Sequence, residues 1–438
     1  MIEKFKVRNF RSILDLCVDF RYGEKAAPRH FETSDTWAFL PTRRGKNGRF
    51  VPVMAIYGAN ASGKSNVINA FMTFSRLLTQ GIAGCFAPNK LNEKYASSSF
   101  VADVALEGGR YRYEIEYDGK HILNEMLCCL EESSDEESTL LFRVGKDGVD
   151  FSGIVSPGYD DERMTQALKI ECMNGESEFV RPFLACLKRT FPGLSEAAAR
   201  VFDEFLQKMQ VSSRNEFFIS QGVDLLAQFN TPEARELAMA KIVKFLKKFD
   251  FGVKGMTLNR QKIGKAATPF ATMGLPNMNP AAIMRDAGDA WIVDEIKLVH
   301  EDASGEKKSL DFMTEESDGT KVVAALIGVC LWALETGRML FVDELDRSLH
   351  PFIVTSLIRL FKSKRYNKTN AQLIFTAHDA TPLENDLMRI SEVGIIDKTI
   401  AKGTSFKRLS DFEDTRNVTN FRKQYLSGAY SGIPFPYI

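Results

Sequence analysis

Gly58-Ala59-Asn60-Ala61-Ser62-Gly63-Lys64-Ser65 follows the apolar run Val51-Pro52-Val53-Met54-Ala55-Ile56-Tyr57 and precedes Asn66-Val67-Ile68-Asn69-Ala70-Phe71-Met72-Thr73-Phe74. The first run reads as a buried strand and the last as a helix. The loop between them fits G-x-x-x-x-G-K-[ST] in the strand-loop-helix setting that makes such a match a phosphate-binding loop. Its glycines let the backbone curl so that N–H groups face inward, and the positive end of the following helix adds to that field. Lys64 then reaches the β- and γ-phosphates of a nucleoside triphosphate and Ser65 offers its hydroxyl to Mg²⁺. The expected ligands are therefore ATP and Mg²⁺, held by Gly58, Asn60, Ala61, Ser62, Gly63, Lys64, Ser65 and the adjoining Asn66.

Away from this stretch the composition is that of an ordinary globular chain. Its 438 residues suffice for two or three domains' worth of core. Lysine plus arginine equals aspartate plus glutamate, 57 each, so no global charge points to nucleic acid or an anionic membrane. Seven unpatterned cysteines fit a reducing compartment, the N-terminus lacks the plan of a signal peptide, and no apolar stretch approaches the roughly 20 residues of a membrane span. A cytoplasmic protein without a membrane partner is expected.

Taken in order, residues 2–20 alternate as a strand pair, and 21–50 are loop-like, ending in the basic Arg43, Arg44, Lys46 and Arg49. Between Phe100 and Gly153 short period-two runs are punctuated by Gly108-Gly109, Asp118-Gly119 and Asp147-Gly148, as antiparallel hairpins require. Helical periodicity takes over in 177–191, 194–209 and 231–249, the last opened by Thr231-Pro232-Glu233 as cap, first-turn proline and first-turn acid. Lys241, Lys244, Lys247 and Lys248 line part of that helix and read as a solvated face. Residues 262–285 read as a mobile loop, and Trp291 to His300 resume β structure. Three regions are expected: 1–155 with the phosphate loop and an antiparallel lobe, 156–285 as a helical insertion, and 286–438 as the second half of the nucleotide-binding fold.

The second half carries its own chemistry. Met339-Leu340-Phe341-Val342-Asp343-Glu344 is an apolar strand ending in two acids. Beside a phosphate loop, Asp343 would enter the Mg²⁺ shell and Glu344 would polarise the attacking water. Ala371-Gln372-Leu373-Ile374-Phe375-Thr376-Ala377-His378-Asp379 is another buried strand with a polar end, which carries one of only five histidines, whose ring is able to contact a γ-phosphate or orient that water. Ser317-Asp318-Gly319-Thr320 opens the apolar helix Val322 to Leu334 and forms a second anion-binding turn. One nucleotide does not need two such turns from one subunit. Ser317, Gly319 and Thr320 are thus read as completing the site of a second subunit, which makes the protein a homodimer or higher homo-oligomer.

These motifs together resemble the ATP-binding-cassette ATPase head, with Walker A at 58–65, a diverged signature at 317–320, Walker B at 339–344, a D-loop at 346–350 and a switch histidine at 378. Val7-Arg8-Asn9-Phe10-Arg11-Ser12 is similar to the opening of RecF-like and SMC-like heads. Ile56 to Asn66, Glu316 to Thr320, Asp343-Glu344-Leu345-Asp346-Arg347-Ser348-Leu349-His350-Pro351 and Tyr425 to Phe435 resemble prokaryotic defence ATPases of the AbiL and RloA type. The resemblance implies an α/β P-loop NTPase fold of ABC-ATPase type, a mixed sheet with an antiparallel β-lobe and a helical insertion, and it adds Arg11 to the nucleotide contacts. Two positions depart from the pattern. The signature is Ser-Asp-Gly-Thr, and the glutamine that follows Walker A in such heads has only Gln80 as a counterpart.

The resemblance also implies a function: a sensor ATPase of an antiviral, abortive-infection system, whose nucleotide-driven oligomer state controls a separate toxin or nuclease effector and answers to a phage trigger protein. No second catalytic constellation is legible in the chain, which places the toxic chemistry on a companion. The alternative is a RecF-like DNA-repair ATPase that binds nucleic acid.

Overall fold

A computed structural model describes residues 1–22, 50–91, 93–131, 135–146, 148–154, 166, 170–174, 178–191, 195–212, 231–249, 251–264, 283–286, 290–347, 349–383, 387–413 and 420–433. The basic cluster at 43–49, most of the loop expected at 262–285, and Ser348 lie outside them. The described residues fall into two compact units, one of Met1–Ser212, Thr336–Arg347 and Val354–Ile438, the other of Ser213–Glu335 and Ser348–Ile353.

The first unit is built on a mixed sheet. Its strands are β1 (Ile2–Phe10), β2 (Ile13–Asp19), β3 (Val53–Gly58), β4 (Ser98–Leu106), β5 (Gly109–Tyr117), β6 (Ile122–Leu130), β7 (Ser138–Gly145) and β8 (Gly148–Asp150). The two-residue strands β9 (Met173–Asn174) and β10 (Glu178–Phe179) form a separate pair, and β11 (Met209–Ser212) closes the first stretch of chain. The numbering resumes in this unit with β16 (Met339–Val342), β17 (Gln372–Thr376), β18 (Val393–Thr399) and β19 (Gly403–Arg408), because β12 to β15 belong to the second unit. The sheet runs β11-β16-β17-β3-β18-β19-β2-β1-β4-β5-β6-β7-β8. From β11 to β18 every pairing is parallel, and from β18 onward every pairing is antiparallel.

Composition explains the division. Every residue of β3, β16 and β17 is buried, as parallel strands covered on both faces require. The lobe strands alternate instead, β2 reading buried-buried-exposed-buried-exposed-buried, with one face to the core. The two halves meet at a seam where β19 and β2 are paired in the ladder at one position, Gly403 opposite Ile13. An α/β fold with a phosphate loop in a mixed sheet and an antiparallel lobe is therefore present as expected.

Helix α1 (Lys64–Gln80) crosses this sheet. Val67, Ala70, Phe71, Phe74, Leu77 and Leu78 recur at three-and-four spacing and are buried, and Gly81 ends the helix at φ 82° with its N–H on the Leu77 carbonyl. Phe71 stacks on Phe5 of β1 (ring centroids 4.1 Å apart) and on Phe341 of β16 (4.2 Å). Helices α2 (Phe183–Thr190) and α3 (Glu196–Lys208) follow the lobe, the latter capped by the Ser195 hydroxyl on the Ala198 N–H. The stretch 156–285 thus carries helices together with strands among its described residues.

The second unit contains α4 (Pro232–Lys248), capped by the Thr231 side chain with proline in its first turn, and a small antiparallel sheet. In it β12 (Gly255–Gly264) and β13 (Ile283–Asp286) flank β14 (Ala290–Glu301), and β15 (Lys307–Asp311) adds a further pairing. The region expected as one loop, 262–285, is entered and left through the ends of β12 and β13. Helix α5 (Asp318–Thr336) is buried from Val323 to Leu334 and apolar all round. It is the one helix among the described residues long and apolar enough to cross a membrane, where the sequence reading expected none, yet 72% of its apolar window is buried, as in a core helix. Two further helices are α6 (Pro351–Lys362) and α7 (Phe421–Leu426).

Glu125 ties the lobe to α2. Its carboxylate accepts the N–H groups of Phe183 (2.6 Å) and Leu184 (2.8 Å) and the Tyr113 hydroxyl (2.9 Å), all out of contact with water. Burial pushes this carboxyl up to about 7, against the pull of its three donors. A carboxyl raised on folding stabilises fully below its ordinary value of 4.5, and that contribution is lost as pH rises through about 7. Thermal melts of wild type and Glu125→Gln should therefore differ in slope between pH 5 and pH 7, the wild type falling with pH more steeply than the variant. Parallel pH profiles would show that Glu125 keeps one protonation state.

Candidate functional site

Strands β16, β17 and β3 are neighbours and parallel, with Val342 opposite Phe375 and Thr376 opposite Ile56. Parallel neighbours end on the same edge, so Asp343-Glu344, Ala377-His378 and the loop after Gly58 emerge side by side at the carboxyl ends of the strands. That edge is where open α/β sheets take ligands.

The phosphate loop is tightly self-supported. Lys64 is nearly buried, and its ammonium donates to the carbonyls of Gly58 (2.8 Å) and Ala59 (3.1 Å). Burial lowers the Lys64 pKa, while Asp343, Glu344 and Asp346 draw it back up, which places those carboxylates within electrostatic reach of the ammonium. Gly63 stands at the helix N-cap with φ 106°, where an L side chain is strained, and an added Cβ would sit 2.3 Å from Thr404 Oγ1 and 2.8 Å from Ser12 Oγ. No side chain among the described residues caps α1, so its first N–H groups are left for an anion, and the Ser62 hydroxyl is buried without a partner among them. The donor set fits a triphosphate: helix N–H groups without a side-chain cap among the described residues and one ammonium, with the Ser65 hydroxyl and the Asp343 carboxylate as oxygens of the kind a hard cation takes.

Around this loop lies a polar brace. Thr404 of β19 donates its hydroxyl to the Ser62 carbonyl (2.9 Å) and shares a hydrogen bond with Ser12 (2.7 Å), while Asn66 donates to Ser12 (2.7 Å). Arg11, at φ 50° in the β1–β2 turn, reaches the Asn66 side chain at 3.5 Å. Arg11, Ser12 and Asn66 thus lie together beside the loop. Ser12 and Thr404 were not singled out, and for Thr404 no local signal exists.

The acidic pair is braced by one hydroxyl. Thr376, fully buried at the end of β17, donates to Asp343 Oδ1 (2.6 Å) and accepts the Glu344 N–H (2.7 Å), while its carbonyl accepts the Leu345 N–H (2.9 Å). Glu344 is held at φ 51°, a left-handed conformation that costs a non-glycine residue roughly 1–2 kcal/mol. Strain of this kind persists where surroundings over-determine it and gathers at functional sites. The His378 ring is exposed on the same edge.

The last described residues also reach the loop. The Tyr425 ring of α7 packs against Tyr57 (5.6 Å), and its hydroxyl donates to the Gly432 carbonyl (3.2 Å). A Cβ on Gly432, at φ 69°, would press within 2.8 Å of Ile395 and 3.5 Å of Gly58 Cα.

The Ser317 turn belongs to the second unit. There Ser317 Oγ accepts the Thr320 N–H (3.1 Å), the bond of an ordinary helix cap, and also pairs with Thr320 Oγ1 (2.8 Å). Glu316 is held by His300 (2.6 Å). Gly319 has open space, the nearest atom to an added Cβ being Ser317 Oγ at 3.8 Å, so no neighbour within the chain dictates a glycine there. Asp318 is almost fully exposed.

The family model described as "AAA domain, putative AbiEii toxin, Type IV TA system" matches residues 286–383, a span that holds the Ser317 turn, Asp343-Glu344 and His378 but not the phosphate loop. No curated protein matches the chain. Among 94 matching chains of solved structures is a Smc head bound to the C-winged helix domain of ScpA, with 13% identity and a TM-score of 0.42 over 93% of this chain and 97% of that one. The SMC head domain from Thermotoga maritima matches at 13% identity and a TM-score of 0.38 over 93% and 98%. A Smc head with an extended coiled coil, bound to a C-terminal domain of ScpA derived from Pyrococcus furiosus, matches at 14% identity and 0.33 over 93% and 96%.

Proposed function

We propose that this protein is an ABC-type ATPase that binds ATP with Mg²⁺ and hydrolyses it slowly, as the nucleotide-driven sensor of an antiviral system with a separate effector. The observation that carries the ATPase reading is the Thr376 brace. It fixes a strained Glu344 beside Asp343, within electrostatic reach of the phosphate-loop lysine.

In this reading Gly63, Lys64 and the first-turn N–H groups of α1 bind the phosphates, and Ser65 with Asp343 hold the metal, which neutralises phosphate charge when bound. Glu344 accepts a hydrogen bond from the attacking water, aligning it in line with the leaving oxygen, and takes up its proton as the bond to phosphorus forms. The His378 ring stands on the other side of the water and keeps it from turning away. The site is completed by the Ser317 turn of a second copy, whose Ser317, Gly319 and Thr320 face the same γ-phosphate. Support for the shared site is the space around Gly319 and the exposure of Ser317 and Asp318, while Thr320 is buried behind them. The defence setting is supported by the description of the family model over 286–383, together with the motif resemblance in the sequence.

Lys64→Ala should lose ATP binding, read by equilibrium titration with a fluorescent ATP analogue. Glu344→Gln should bind ATP normally, turn over about a hundredfold or more slower, and run as a dimer or larger species on ATP in light scattering. Ser317→Arg should bind ATP like wild type yet fail to hydrolyse it, and normal turnover in this variant would disprove the shared site. In phage-challenged cells the Glu344→Gln protein should co-purify with a stoichiometric companion before challenge and lose it afterwards. Co-purification with DNA, and turnover stimulated by DNA in a salt-sensitive way, would instead move the protein to a RecF-like repair role.

A further inference from the structure

Asp346 has no part in the hydrolytic scheme, yet it is the one side chain among the described residues that joins the Glu344 turn to the His378 turn. Its Oδ2 accepts the main-chain N–H of His378 (2.8 Å) and of Asp379 (2.6 Å). Two donors on one carboxylate oxygen make charge-assisted bonds, roughly twice as strong as neutral ones. The turn carrying Asp346 is itself fixed, through Glu344 and Leu345 on Thr376 and through the Arg347 N–H on the Glu344 carbonyl (3.0 Å). On the far side Asp379 accepts the N–H and hydroxyl of Thr381 (2.9 and 2.7 Å), which closes the His378 turn. Among the described residues no side chain holds the His378 imidazole, so the ring's place is set through its own backbone.

The two oxygens of Asp346 differ in what they hold. Oδ2 is occupied by the two N–H groups, and Oδ1 is buried. Close by lies the fully buried Tyr57 hydroxyl, pushed well up by burial and by the carboxylates of Asp346 and Asp379. A carboxylate whose one oxygen takes two main-chain donors from the neighbouring turn is well placed to hold two loops in one register.

We infer that Asp346 is a positioning residue, which sets the distance of the His378 ring from Glu344 and so governs the hydrolytic step rather than nucleotide binding. The inference rests on the proposed ATPase reading. The removal of Asp346 takes away no hydrogen bond of the phosphate loop, leaves Asp343 and Glu344 to act on the Lys64 charge, and lets the His378 turn drift. Misplacement of about 1 Å at a reacting centre costs up to about a hundredfold in rate.

The test compares wild type, Asp346→Ala, His378→Ala and the double variant by steady-state ATP turnover and by ATP affinity, with thermal melts alongside. Asp346→Ala should lower kcat at least about tenfold with ATP affinity held within about threefold, and in the His378→Ala background it should have no further effect, because residues acting through one another are not additive. Asp346→Asn should restore turnover, since its amide oxygen still accepts both N–H groups, and this variant carries the test if Asp346→Ala does not fold. Additive losses in the double variant, or an Asp346→Asn as slow as Asp346→Ala, would overturn the inference. If Glu344→Gln abolishes turnover while Asp346→Ala hydrolyses at the wild-type rate, the ATPase reading stands and the inference fails. If the wild type does not hydrolyse ATP, both fail together.

Discussion

Phe71 is the point on which the first unit hangs. It is stacked between Phe5 of the antiparallel lobe and Phe341 of the strand that ends in Asp343-Glu344, on the helix that begins at the phosphate loop. One ring therefore holds three things in register: the loop, the acidic pair, and the lobe. Phe74, one turn further on, extends the cluster to Phe5, Phe100, Tyr113 and Phe205. Emptying a buried phenylalanine position costs about 3–5 kcal/mol, a large share of the roughly 5–15 kcal/mol that a domain has to spare. The apolar contact joins the antiparallel lobe to the strand that carries the acidic pair, through the helix that carries the phosphate loop.

Above that core the site is a set of short polar braces, each made by a residue of one element on the loop of another. Thr376 holds the acidic turn of β16 from the end of β17, and Thr404 and Ser12 hold the phosphate loop from β19 and the β1–β2 turn. Such an arrangement lets backbone strain at Glu344 and an uncapped α1 persist, since each departure from relaxed geometry is fixed by a bond from elsewhere. Where the phosphate loop folds its own lysine onto the Gly58 and Ala59 carbonyls, incoming phosphate has only to exchange one set of oxygens for another.

Much of this was legible in the sequence. The strand-loop-helix context around Gly58 to Ser65 gave the loop, and the continuous apolar runs before Asp343 and His378 gave buried parallel strands whose ends carry chemistry. Thr231-Pro232 gave the start of α4. What stayed hidden was everything that depends on which strands are neighbours. Thr376 reads as one more β-branched residue until β17 is laid between β16 and β3, and Thr404 lies far along the chain from the Ser62 carbonyl it supports. Residues 262–264 read as loop because glycine, proline and asparagine dominate the stretch after them, yet they end a strand paired over its whole length with β14. Ser317 was read for its anion-binding pattern, and within the chain its hydroxyl serves the helix it opens.

The turn that ends in Gly432 lies against Ile395, Ile396 and Gly58, so the tail of the sequence forms the back wall of the phosphate loop. A methyl group on Gly58 would meet the Ile396 carbonyl at 2.6 Å and Ser62 Oγ at 2.7 Å, and one on Gly432 would meet Ile395 at 2.8 Å, so both glycines are hemmed in by β18. Strand β18 is thereby the common constraint: a bulkier residue at either glycine would press on that one strand, and through it on the start of the phosphate loop.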